Sequence, residues 1–186
     1  MIKALDVFKT FQPYRGRAIV AATGTAGGHW REVSTDSKRD VSLGGAMGQT
    51  TSAAFGLALG LPDEKIVLFD AEGALLMNLG VLATIAGKQP KNFVHFLLDN
   101  GCYATTGGQP VPNAENIDYA GLARAAGYAS AHSFTDLEDF MTQVESIMEE
   151  EGPVFVAIKI VPEIENLPIG MRTSEPRRSR HGRNLK

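Results

Sequence analysis

The stretch KIVLFDAEGALLMNLG (65–80) decides how this chain is read. Lys65–Phe69 is a short apolar run bounded by polar residues, which fits a strand covered on both faces. Asp70–Gly73 is an acidic turn. Ala74–Gly87 then reads as a helix. Strand, turn and helix in that order build a parallel sheet. In such sheets ligands and metals collect beyond the carboxyl ends of the strands. Two carboxylates, Asp70 and Glu72, fall at such an end, two residues apart.

The same alternation extends in both directions. Ile2–Phe11 has apolar residues at helical spacing, and Arg17–Ala22 is a strand that runs into the small-residue loop Thr23–Gly28. Val33–Leu43 reads as a polar connection with a short strand near its end. Met47–Leu61 is small and apolar enough for a helix buried against the sheet. Phe93–Leu98 is the next strand, followed by a long loop, Asn100–Asn116, rich in glycine and proline. Loops of that length are often functional. Ile117–Ala126 and Leu137–Glu150 are helices, the second with Thr135 as N-cap and Glu138 as its capping-box partner. Val154–Val161 is a last buried strand. The expected fold is therefore α/β, a three-layer α/β/α arrangement around a mainly parallel sheet. One domain, residues 1–168, is expected, with a weakly structured basic tail over 169–186.

Composition narrows the class. The chain has 186 residues, 44% hydrophobic and 21% charged, as expected for one soluble globular domain with a sizeable core. No apolar stretch reaches the roughly 18 residues of a membrane span. The first residues mix charge with apolar groups and lack a secretory pattern. One cysteine, Cys102, excludes an internal disulfide and suits a reducing compartment. A cytoplasmic protein is the expectation. Between Arg172 and Lys186 six basic residues and one acid give +5, leaving −8 on the remainder of a chain whose total is −3. No aromatic residue interleaves these arginines, which argues against nucleic acid as a partner.

Three strand-to-loop transitions are rich in glycine or amides: TGTAGG (23–28), EGA (72–74) and DNGCYATTGGQ (99–109). Glycine lets backbone N–H groups approach a phosphate closely. In a parallel sheet all three would lie along one edge. Glu72 and Asn100 both follow strands and offer hard oxygens of the kind magnesium takes when it bridges protein to phosphate. Each also fits a plainer role, Glu72 as a charge at a helix start and Asn100 with Gly101 as a turn.

The segments GAMG (45–48), AEGALLMNLGVLATIA (71–86), PKN (90–92) and LLDNGCYATTGGQP (97–110) resemble the diphosphate-binding domain of thiamine diphosphate enzymes. The likeness is particularly to the decarboxylases of sulfopyruvate and phosphonopyruvate, and with TGT (23–25) it covers about two-thirds of the chain. The family's metal motif is Gly-Asp-Gly followed downstream by an asparagine. Here it reads Ala71-Glu72-Gly73 and then Asn100. The resemblance thus implies Mg2+ held by Glu72, the Asn100 side chain and the Cys102 carbonyl, with Asp70 in a supporting place. It implies that Thr23, Gly24, Thr25, Gly73 and Ala74 lie along the diphosphate. Gly45 would offer a carbonyl to the aminopyrimidine and Met47 an apolar wedge under the bent cofactor. Asn100 and Tyr103 complete the cofactor contacts. Ala71 and Ala74 stand where relatives have glycine and serine, and glutamate is one methylene longer than aspartate, so a working but weaker metal site is expected.

The family also uses a glutamate from a separate pyrimidine-binding domain, for which this chain has no room. The resemblance therefore implies one subunit of a heteromeric 2-oxo acid decarboxylase, completed by a pyrimidine-domain partner. His29, Thr105 and Thr106 are its candidates near the reacting centre. His29 also fits a structural hydrogen-bonding role, and His95, inside an apolar strand, a core position. An anionic substrate tail would need basic contacts, from the C-terminal arm or from the partner. A carboligase of acetolactate synthase type would share the same cofactor site. A non-catalytic subunit would keep the fold alone.

Overall fold

The computed structural model describes residues 2–24, 26–43 and 46–164. Numbered along the chain, the strands are β1 (Ile19–Ala22), β2 (Asp40–Val41), β3 (Ile66–Ala71), β4 (Phe93–Asp99), β5 (Cys102–Tyr103), β6 (Gln109–Pro110), β7 (Ser130–Phe134) and β8 (Val154–Lys159). The helices are α1 (Ala4–Phe11), α2 (Ala26–Val33), α3 (Thr50–Gly60), α4 (Glu72–Leu76), α5 (Val81–Lys88), α6 (Tyr119–Ala126) and α7 (Leu137–Glu149). Six strands form one sheet in the order β2-β1-β3-β4-β8-β7. Every pairing within it is parallel. β5 and β6 make a separate antiparallel pair.

The apolar run that opens the reading is β3, buried from Ile66 through Asp70. Because side chains alternate across a strand, it feeds two cores. Val67 and Phe69 join Phe8, Phe11, Trp30, Phe96 and Phe140 on the face covered by α1, α2 and α7. Ile66 and Leu68 join Ala54, Leu75, Ile85, Leu97 and Phe155 on the face covered by α3, α5 and α6. The three-layer α/β/α fold follows from that division.

Four local expectations need correction. Ala26–Val33 is a helix, not loop followed by connection. Its glycines are poor helix formers, but Trp30, 2% exposed, anchors it in the core. Gly27 is required there, since a Cβ would sit 3.0 Å from the Ala22 carbonyl oxygen. The single helix expected over 74–87 is two, α4 and α5. At the break, Asn78 Nδ2 donates to the Gly48 carbonyl at 3.0 Å and to Ser52 Oγ at 3.2 Å. The N-cap of α7 is Asp136, not Thr135. Its Oδ1 accepts from the amides of Glu138 (2.8 Å) and Asp139 (3.3 Å). Finally, β7 is an edge strand absent from the sequence reading, and its mixed sequence SAHSF is mostly half-buried. The tail over 169–186 lies outside the described residues.

Candidate functional site

The chain leaves β1 toward β2 on one side of the sheet and leaves β3 toward β4 on the other. That reversal opens a crevice at the carboxyl ends of β1 and β3. A cleft of about 450 Å3 lies there, lined from three directions. Thr23 and Gly24 come from the β1 exit. Gly73 and Ala74 come from the start of α4. Asn100, Cys102, Tyr103 and Thr105 come from the segment after β4. Leu43, Ala46 and Met47 make an apolar wall, with Met47 43% exposed.

Register brings Glu72 and Asn100 together. Ala71 pairs with Leu98, so the chain turns out of two neighbouring strand ends at Glu72 and Asn100. Glu72 does not line the cleft. Its residue is 1% exposed, and neither carboxylate oxygen has a hydrogen-bond partner among the described residues. Burial pushes its carboxyl up from 4.5 to about 7. The nearby charge of Asp99 adds to the rise. The backbone amides of Glu72 and Asn100 pull the other way, though neither reaches hydrogen-bond geometry, and so does the Lys159 ammonium. A carboxylate this isolated costs stability unless something positive reaches it.

Asn100, Cys102 and Tyr119 lie close enough to that carboxylate to interact with it electrostatically. Asn100 Oδ1 accepts from the Cys102 amide at 2.8 Å in a local turn and keeps a second lone pair. Cys102 pairs with Pro110, and the hydrogen bonds of that ladder fall on the Gly101 and Tyr103 carbonyls to either side, so β6 does not use the Cys102 carbonyl. The Tyr119 hydroxyl is likewise buried and unpartnered. Its pKa is raised by burial and by the charges of Asp99 and Glu72. Asp99 itself is satisfied, by the Gly101 amide at 3.1 Å and Lys159 at 2.9 Å. Among the described residues no cluster of three His, Cys, Asp or Glu is arranged to hold a metal. A cation here would rest on one carboxylate and neutral oxygens. That donor set fits magnesium, which takes few protein ligands when a phosphate supplies the rest.

Asp70 is the opposite case. It is fully buried, and Thr51 Oγ1 and the Ala71 amide (2.9 Å) donate to its two oxygens. His95 Nε2 stands 3.5 Å from it, and His95 Nδ1 lies 3.3 Å from the Tyr128 hydroxyl.

The other candidates divide by location. Thr105 lines the cleft. Thr106 does not; its hydroxyl bonds to the Tyr103 carbonyl (3.3 Å) and Gln109 Oε1 (3.1 Å), so it shapes the turn. His29 lies in an adjoining groove, with Nε2 2.6 Å from Glu163 Oε2. Burial, and secondly Glu72, raise the Cys102 thiol pKa, which keeps it protonated. Gly73 is needed for packing, because a Cβ would meet the Tyr103 ring at 2.6 Å. Thr25 and Gly45 lie outside the described residues. Arg31, Ser42 and Tyr119 were missed by sequence reasoning, although Arg31 follows Gly27 by about one helical turn.

Comparison with known proteins gives consistent matches. Residues 18–158 match the model of the thiamine pyrophosphate enzyme C-terminal TPP binding domain. The chain is 36% identical over 150 residues to a phosphonopyruvate decarboxylase of Streptomyces viridochromogenes, covering 80% of this chain and 36% of that protein. It is 37% identical over 134 residues to sulfopyruvate decarboxylase subunit beta of Methanothermobacter thermautotrophicus, covering 72% of this chain and 69% of that subunit. The match thus spans about a third of the first relative and about two-thirds of the second. In fold, the chain resembles benzoylformate decarboxylase from Polynucleobacter necessarius, with a TM-score of 0.72 at 17% identity, over 88% of this chain and 33% of that one.

Proposed function

This chain belongs to the thiamine pyrophosphate enzymes, as their C-terminal TPP binding domain, and on that premise we propose that it is the diphosphate-binding subunit of a 2-oxo acid decarboxylase, acting on sulfopyruvate or phosphonopyruvate. The observation that carries the proposal is the buried, unpartnered Glu72 carboxylate beside Asn100, at the carboxyl edge of a parallel sheet. The names of the two decarboxylase relatives support the substrate class.

Glu72, Asn100 Oδ1 and the Cys102 carbonyl would hold Mg2+. Thr23, Gly24, Gly73 and Ala74 would hold the diphosphate. Tyr103 would close that side, and Met47 would support the apolar ring. When bound, thiamine diphosphate supplies the electron sink for the bond that breaks. The net reaction releases carbon dioxide and leaves an aldehyde, with a proton in place of the carboxylate. The apolar wall of Leu43, Ala46 and Met47 excludes water from one side. Among the described lining residues there is no carboxyl or imidazole group. The groups that move protons then come from a partner, the pyrimidine-domain subunit. Met47 and Met77, both exposed, are apolar surface such a partner would cover. No described helix is long and apolar enough to cross a membrane; a cytoplasmic setting is part of the proposal.

The test is co-purification with the partner, then measurement of carbon dioxide release from a panel of 2-oxo acids with thiamine diphosphate and Mg2+. Release from sulfopyruvate or phosphonopyruvate is the expected result. No release from any 2-oxo acid would overturn the decarboxylase reading, and a carboligation product without aldehyde would redirect it.

A further inference from the structure

We propose that Arg31 is the residue that selects the substrate's tail, by binding a sulfonate or phosphonate group carried on carbon 3 of the 2-oxo acid. The inference rests on the reading that the cleft receives a 2-oxo acid. Arg31 is the one side chain of formal charge among the described residues that line the cleft. An acid with a second strong anionic group needs a cation somewhere on that lining, and the remaining residues offer only neutral donors.

The fold presents Arg31 for this purpose. Trp30, the residue before it, is buried, donates Nε1–H to Asp40 Oδ1 at 2.9 Å and stacks on Phe69 with centroids 6.2 Å apart. The helix is therefore fixed while the Arg31 side chain stays exposed. Two other arginines nearby are committed, Arg15 to Asp40 at 2.8 Å and Arg39 to Glu64. None of the ion pairs among the described residues includes Arg31.

Arg31 also borders the adjoining groove, and Gly24 is shared between the two. That groove also holds Glu32 and Glu163, the second 2.6 Å from His29. The cleft is the side of Arg31 on which no described lining residue is acidic. A guanidinium is permanently charged, planar and able to donate two parallel N–H bonds to an oxyanion. It gains nothing from the methyl group of pyruvate. The same guanidinium could instead reach the cofactor's diphosphate, and the experiment separates the two.

In the assembled complex, Arg31→Gln and Arg31→Lys are compared with the unmodified protein on sulfopyruvate, phosphonopyruvate and pyruvate, with cofactor affinity measured alongside. Arg31→Gln is expected to lower the kcat/KM ratio of the tailed acids over pyruvate by about 10- to 100-fold, mainly through KM, as loss of a charge-assisted bidentate contact predicts. Arg31→Lys should recover part of it. An unchanged ratio, or weaker cofactor binding with the ratio constant, overturns the assignment. A binding arm keeps this separate from the decarboxylase reading: the loaded complex is titrated with 3-sulfolactate and with lactate, neither of which can be decarboxylated in this way. Tighter binding of sulfolactate that is lost in Arg31→Gln supports Arg31 even if no carbon dioxide is ever released. Equal binding of the two, or no loss in the variant, contradicts it.

Discussion

Asp70 and Glu72 carry the same chemical group, two residues apart and equally buried, yet they sit in opposite environments. Thr51 and the Ala71 amide serve the oxygens of Asp70, and His95 stands close by. Glu72 has no hydrogen-bond partner for either oxygen among the described residues. A protein tolerates a buried carboxylate only when it is satisfied or put to use. The pair therefore separates structure from function within one turn. Asp70 fixes the end of β3, and Glu72 has no hydrogen-bonding partner among the described residues.

The largest expected effect is at Asp70. Asp70→Ala would leave the Thr51 hydroxyl and the Ala71 amide without their acceptor. About 2–5 kcal/mol of stability is the expected loss, from two donors left unsatisfied. Denaturant unfolding measures it, and a loss below about 1 kcal/mol would mean the network holds nothing.

Glu72 should behave in the reverse sense. Its folded carboxyl titrates near 7 against an ordinary 4.5. The folded state therefore holds an extra proton between those values, and stability falls as pH rises from 4.5 to 7. Above that window the penalty is complete. Glu72→Gln removes it. Without metal, the Glu72→Gln variant should gain on the wild type by about 3 kcal/mol between about pH 4.5 and pH 8. Parallel stability curves for the two proteins would contradict the isolation of Glu72.

The smallest effect concerns a cap remote from the cleft. Asp136→Ala should cost about 1 kcal/mol and Thr135→Ala under about 0.5, both measured by thermal unfolding. The reverse order would restore Thr135 to the role its sequence position suggests.

Much of this architecture is legible because periodicity and burial go together. β3, β4 and β8 are continuous apolar runs, and nothing but a covered strand suits them. The Glu72–Asn100 juxtaposition is legible too, since both follow such strands and parallel register does the rest. What could not be read depends on contacts from distant segments. α2 is helical despite Gly27 and Gly28 because Trp30 docks among Phe8, Phe11 and Phe69. Thr135 and Asp136 both suit an N-cap, and only backbone geometry chooses between them. The isolation of Glu72, and the presence of Arg31 on the cleft, are set by packing that no local pattern encodes.

Under the proposed function, Glu72 would hold the cation that holds the cofactor. The most direct test is calorimetric titration of the assembled protein with thiamine diphosphate and Mg2+ over about pH 5.5–8, for wild type, Glu72→Asp and Glu72→Ala. Wild-type affinity should be constant above about pH 7 and fall about tenfold per unit below it, because the cation must displace one proton. Glu72→Asp should retain binding and Glu72→Ala should lose it. Normal Mg2+-dependent binding by Glu72→Ala would contradict the account.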